Sequence, residues 1–175
     1  VYNALAAYTA ASRLGLDKAK CAAALENYQA TGMRQHVVKK AGLTVVEDCY
    51  NASPDSMKAS LSMFKAFDAG SGKKYALLGD MLELGAISRG AHRQVGRWAA
   101  EAGLAGLVAI GPESAAMAGE ARKAGLAAVH CDTPAAALEA LKGLLKPGDA
   151  LLAKASRGMK LENILKALYG EETLQ

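Results

Sequence analysis

Charged residues stand in this chain where three of its apolar runs stop. Leu43-Thr44-Val45-Val46 runs into Glu47 and Asp48, and Tyr75-Ala76-Leu77-Leu78 into Gly79 and Asp80. Ala150-Leu151-Leu152-Ala153 runs into Lys154-Ala155-Ser156-Arg157-Gly158-Met159-Lys160. A carboxylate accepts from hydroxyls and ammonium groups. A guanidinium beside the outward-facing N–H groups of a helix start traps carboxylate or phosphate. Asp80, with Glu83 three residues on, is placed to orient a substrate amine or to pair with Arg157. Acids and cations at matching strand ends describe a ligand-binding edge rather than a complete catalytic set.

The elements that must present these residues alternate regularly. After Asp48, the turn and capping residues Asn51, Ser53, Pro54 and Asp55 lead into Met57, Leu61, Phe64 and Phe67 at helical spacing. Gln35–Lys40 and Leu43–Glu47 flank Ala41-Gly42, which predicts a β-hairpin. Further strands are expected at 75–78, 106–110, 127–130 and 150–153, with helices over about 88–102, 113–124, 134–145 and 160–169. Short continuous apolar strands between amphipathic helices predict an α/β domain of Rossmann-like, three-layer type. It has about six strands, mostly parallel with one antiparallel hairpin strand. In such sheets ligands bind beyond the carboxyl ends of the strands.

Residues 1–33 read differently. An Ala-rich helix over 1–12 and a second, capped by Asp17, over roughly 18–27 are too little to enclose a core. They read as the end of a preceding domain, joined by the link Tyr28–Met33 to a domain over 34–175. The chain opens on Val1-Tyr2-Asn3, already in helical pattern and without an initiator Met. It is therefore expected to be a piece of a longer protein.

Composition removes several function classes. The net charge is only +4, with both signs interspersed and aromatic residues at 5%. That is no basic, aromatic-studded face for nucleic acid. No apolar run approaches the ~20 residues of a membrane span, and no signal-peptide pattern is present. Cys21, Cys49 and Cys131 are odd in number and far apart, as expected of reduced thiols in a cytoplasmic protein and not of a disulfide framework or a metal site. No G-x-G-x-x-G opens a helix. Gly70-Ser71-Gly72-Lys73-Lys74 imitates a phosphate loop, but it precedes its strand and no Ser or Thr follows its first Lys. His92 is read as a surface or packed helical residue and not as a catalyst, while His36 and His130 take no role.

The motifs taken together resemble one family. VYNALAAY, Gly32-Met33-Arg34 before the hairpin, DCYNASPDSM (48–57), LGDMLELG (78–85) with His92 after it, and KASRGMKLE (154–162) stand in the order found in Mur ligases. The resemblance covers essentially the whole chain, and is closest to the branch acting on D-Ala-D-Ala in bacterial peptidoglycan synthesis. It implies a three-domain ligase using ATP and Mg2+, both held mainly by a central domain whose phosphate loop is not in this chain. Its substrates would be UDP-N-acetylmuramoyl-tripeptide and D-Ala-D-Ala, joined through an acyl phosphate by a monomeric enzyme. Arg34 matches the family arginine that reaches the ATP phosphates, and Asp48 the acid that contacts the ribose. Asn51, Ser156 and Arg157 fall in regions lining the dipeptide, and Asp80 joins that set.

Two positions depart from the family pattern. Ser53 stands where Asn is common, and Ala155 replaces a Gly, which predicts strain if that position needs a positive φ. Two rival readings are carried beside the ligase. Glu47-Asp48, Asp80 and Lys154 imitate the acid pair, acceptor Asp and Lys of a phosphoacceptor signalling domain, although a hairpin precedes the acidic strand. The fold alone also admits another nucleotide-binding or passive partner module.

Overall fold

A computed structural model describes residues 2–27 and 34–171. The predicted link Tyr28–Met33 lies outside the described residues, as do the last four. The chain divides into two compact units, residues 1–31 and 32–175.

The first unit holds α1 (Tyr2–Arg13) and α2 (Lys18–Glu26). Asp17 caps α2 as predicted, its side chain accepting from the Lys20 N–H at 2.9 Å. No residue of α2 is buried, and Leu5, Leu14 and Leu16 stay exposed.

The second unit is built on a six-stranded sheet. Its elements are β1 (His36–Lys40), β2 (Leu43–Asp48), α3 (Pro54–Ala66), β3 (Lys74–Gly79), α4 (Ser88–Glu101), β4 (Gly106–Ile110), α5 (Ser114–Lys123), β5 (Ala128–Cys131), α6 (Pro134–Leu144), β6 (Ala150–Lys154) and α7 (Leu161–Tyr169). The strand order is β1-β2-β6-β3-β4-β5. Only β1–β2 is antiparallel; the other pairs are parallel. Fold class, hairpin and every predicted helix agree with the sequence reading to within a few residues.

Two cores follow from strand alternation. Val46, Ala76, Leu78, Leu107, Ala109 and Leu152 face a layer made by Met57, Leu61 and Phe64 of α3, Val95 and Ala99 of α4 and Met117 and Ala121 of α5. Val45, Tyr75, Leu77, Val108, Ile110 and Leu151 face Leu138 and Leu141 of α6 and Leu161, Ile164 and Leu165 of α7. Both sheet faces are covered, which is why these strands are apolar throughout.

The topology creates the site. From β2 the chain crosses β6's place to β3 and moves outward to β5, then returns through α6 to insert β6 between β2 and β3. The register sets Lys154 beside Asp48 on one side and Leu78 on the other. Residues about 100 positions apart thereby share one edge.

Candidate functional site

The edge is organised around a buried ion pair. Lys154 Nζ donates to Asp48 Oδ2 at 2.8 Å and to the Asn51 carbonyl at 2.8 Å. Ser60 Oγ donates to the same Asp48 oxygen at 2.7 Å. Both residues are buried, Asp48 at 7% exposure and Lys154 at 2%. An ammonium removed from water must be paired and hydrogen-bonded, so Lys154 turns inward. Lys154 thereby ties β6 to the 49–52 loop and is not open to an anion. These bonds fall on Oδ2 of Asp48, leaving Oδ1 outside them.

Above the pair the 50–53 loop reaches solvent. Tyr50 is 47% exposed, and the Arg34 guanidinium lies 4.2 Å from its ring centroid. Asn51 is exposed, and its Oδ1 accepts from the Ala52 N–H at 2.8 Å. Ser53 and Ser56 then cap α3 reciprocally: Ser53 Oγ accepts from the Ser56 N–H, and Ser56 Oγ from the Ser53 N–H. Serine at position 53 thus supplies a complete capping box.

Asp80 corrects the expectation that its carboxylate orients a substrate amine. It is 1% exposed and caps the N-terminus of α5, taking the Ser114 N–H at 2.8 Å, the Ser114 hydroxyl at 2.6 Å and the Glu113 N–H at 3.3 Å. Gly111 makes room, since a Cβ there would lie 2.5 Å from the carboxylate. Helix N–H groups and the helix dipole take the place of water around this charge.

His92, fully buried, holds the next residue. Its Nε2 lies 3.0 Å from the Met81 N–H, and its Nδ1 2.8 Å from the Ser88 carbonyl. An amide can only donate and a carbonyl only accept, so the ring is the neutral Nδ1–H tautomer. The 3.9 Å approach of Nε2 to Asp80 is accordingly no ion pair.

Ser156, 7% exposed, fastens the same loop: its Oγ accepts from the Leu82 N–H at 2.9 Å, and its N–H donates to the Asp80 carbonyl at 3.1 Å. It makes no side-chain cap to the following 3₁₀ turn, Arg157–Met159. The expected direct dipeptide contact from Ser156 gives way to a staple between β6 and the 80–82 loop. Ala155 carries no strain, because the positive φ angles of non-glycine residues fall at Gln35, Ala41, Glu83 and Lys160 among the described residues. Its methyl packs into the core, and glycine at position 79 leaves it room: a Cβ there would come within 2.8 Å.

Arg157 and Lys160 are the exposed cations of this stretch; the Arg157 side chain is 55% exposed, with Nη1 2.8 Å from Glu162 Oε1. Neither the thiol nor the phenol described beside this edge is activated. The Cys49 thiol is pushed up to about 12 by burial first and then by Glu47, Glu162 and Asp48. The Tyr169 hydroxyl, donating to Glu47 at 2.7 Å, is raised by burial and by that bond. Sequence reading missed Ser60, Ser114 and Glu162 as partners. A signal existed for Ser60, a polar residue inside the apolar stripe of α3, and for Glu162, the last letter of a quoted motif.

Residues 33–157 match the family model described as Mur ligase, glutamate ligase domain. The chain belongs to the Mur ligase family. Among Mur ligases, it is 37% identical over 171 residues to the UDP-N-acetylmuramoyl-tripeptide–D-alanyl-D-alanine ligase of Bacillus subtilis, which covers 96% of this chain and 37% of that protein. MurF from Acinetobacter baumannii superposes with a TM-score of 0.87 at 30% identity, over 96% of this chain and 37% of the other. MurF ligase from Thermotoga maritima, solved in complex with ADP, gives 0.74 at 28% identity, over 93% and 36%. The chain spans somewhat more than a third of the length of these Mur ligases. The phosphoacceptor reading falls here, on the family match and on the engagement of Asp80 with α5.

Proposed function

We propose that residues 1–33 end the central ATP-binding domain, and 34–175 form the C-terminal domain, of an ATP-dependent cytoplasmic ligase. The ligase is monomeric and joins D-Ala-D-Ala to UDP-N-acetylmuramoyl-tripeptide in peptidoglycan synthesis. The observation that carries this reading is 37% identity, over 96% of the chain, to a ligase named for that reaction. The ADP bound to the Thermotoga maritima relative supports a nucleotide beside this domain.

The residues present suit a nucleotide. ATP would supply the phosphoryl group that activates the tripeptide carboxylate. Arg34, stacked on exposed Tyr50, offers a permanent cation to phosphate oxygens. Asp48 Oδ1 accepts from a ribose hydroxyl while Lys154 and Ser60 hold Oδ2. Asn51 and Arg157, exposed on loops after the neighbouring strands β2 and β6, take the dipeptide, with its carboxylate on the guanidinium. Asp80 and Ser156 serve that set as positioning residues, holding the 80–82 loop. The described residues gather no group of three His, Cys, Asp or Glu suited to a metal. They do not fit Mg2+ alone, and we assign the ion to the rest of the ligase.

The test is reconstitution. This chain with ATP, Mg2+, UDP-N-acetylmuramoyl-tripeptide and D-Ala-D-Ala releases no ADP, whereas the complete ligase does so only when D-Ala-D-Ala is present. Turnover by the chain alone, or indifference of the complete ligase to the dipeptide, refutes the proposal.

A further inference from the structure

Three successive residues of the loop after β3 are fastened by groups from outside it. The Asp80 carbonyl accepts from the Ser156 N–H at 3.1 Å. The Met81 N–H lies 3.0 Å from His92 Nε2, and the Leu82 N–H donates to Ser156 Oγ at 2.9 Å. Both anchoring side chains are buried. The next residue, Glu83, is exposed and stands in no hydrogen bond or ion pair among the described residues. It takes φ 64, in the left-handed region. A residue with a Cβ enters that region at a cost, and glycine is its ordinary occupant. Such a conformation persists only where the surroundings impose it, as the three anchors do here.

The two acids of this loop divide their work. Asp80 gives its carboxylate to the start of α5, so it is closed to a ligand. Glu83 is the acid left open at the end of β3. The loop also runs against the turn that follows β6: a Cβ at Gly158 would lie 2.8 Å from Leu82 Cδ1. Leu82 precedes Glu83, and Arg157 precedes Gly158. An open carboxylate and a guanidinium therefore sit on adjoining loops of one edge. A dipeptide is a zwitterion, and its two charged ends call for one group of each sign.

We infer that Glu83 binds the ammonium end of the incoming dipeptide and sets the preference of the site for a free amine. This rests on the proposed reading of the chain as part of a D-Ala-D-Ala ligase. An ammonium brings three donors and no acceptor, so a carboxylate meets it better than any neutral group at this edge. The anchors fix the backbone before the dipeptide arrives. The cost of the left-handed turn is thus met on folding, and little ordering of the loop is left for binding.

Kinetics of the complete ligase test this. Glu83→Gln raises the KM for D-Ala-D-Ala about tenfold, as loss of one charge-assisted contact implies, and leaves the KM for ATP unchanged. D-lactyl-D-alanine, with a hydroxyl in place of the ammonium, separates charge recognition from damage to the loop. Against the wild type its inhibition constant lies about tenfold above the KM of the dipeptide. In Glu83→Gln the two values converge, whereas a disordered loop weakens both alike. Glu83→Gly, which suits the left-handed backbone, shows the same rise in KM and carries the test if the glutamine variant fails to fold. An unchanged dipeptide KM in these variants overturns the inference. So does a preference for ammonium over hydroxyl that survives in Glu83→Gln. A complete ligase indifferent to D-Ala-D-Ala refutes instead the reading on which the inference rests, and takes it along.

Discussion

Asp48 and Asp80 stand at equivalent places, the ends of β2 and β3 on either side of β6, and both are buried. Their charges are compensated in opposite ways. Asp48 has a cation, Lys154, and a hydroxyl, Ser60, on one oxygen. Asp80 has two backbone N–H groups and a hydroxyl from the start of α5. The first arrangement keeps a carboxylate oxygen in reserve beside an exposed loop bearing Tyr50 and Asn51. The second spends its carboxylate on the scaffold. One residue type at one topological position yields an ion-paired strand end on one side and a helix cap on the other. What decides between them is which neighbour arrives at the strand end, a side chain or a helix.

The largest expected effect tests the ion pair. Lys154→Met leaves Asp48 buried without its cation and destabilises the chain by about 3–5 kcal/mol in urea titration. Adding Asp48→Asn restores much of that loss, because no uncompensated charge remains. A double variant as unstable as the single one would show that packing, not charge, governs this end.

Asp80→Ala removes the cap of α5 and costs about 2–3 kcal/mol. No partner substitution should rescue it, since its partners are mainly backbone. A loss equal to that of Lys154→Met would break the contrast between the two ends. Ser53→Ala, which deletes half of a capping box beside Asn51, costs about 1 kcal/mol. It also confirms that Ser serves at this position in its own right.

A further effect is confined to alkaline pH. Cys49 titrates at about 12 in the fold against an ordinary 9.0, so the native state holds the thiol proton more tightly. The stability this provides is complete below pH 9.0 and fades as pH climbs toward about 12. Cys49→Ala flattens part of that decline in alkaline denaturation curves. At pH 8 a thiol reagent should label the part-exposed Cys21 well before buried Cys49 and Cys131. Rapid labelling of Cys49 would contradict the burial of this edge.

Much of the molecule was legible in the residues alone. Alternation of apolar strands with amphipathic helices, Ala41-Gly42 between two strand patterns, and Pro54 after a capping Ser determine the elements, because each depends on local geometry and spacing. The strand ends were legible too, and with them the polar edge. What the residues could not show was direction. Asp48, Asp80, Lys154, Ser156 and Arg157 all read as available polar groups. Only the insertion of β6 between β2 and β3 brings Lys154 against Asp48, and only the approach of α5 takes up Asp80. Burial is a property of neighbours distant in sequence, and a charge that is buried must find a partner there. The sequence by itself determined which chemistry lies at the edge. The tertiary structure decided which of those groups support the edge and which, Arg34, Asn51 and Arg157 among them, are left facing outward.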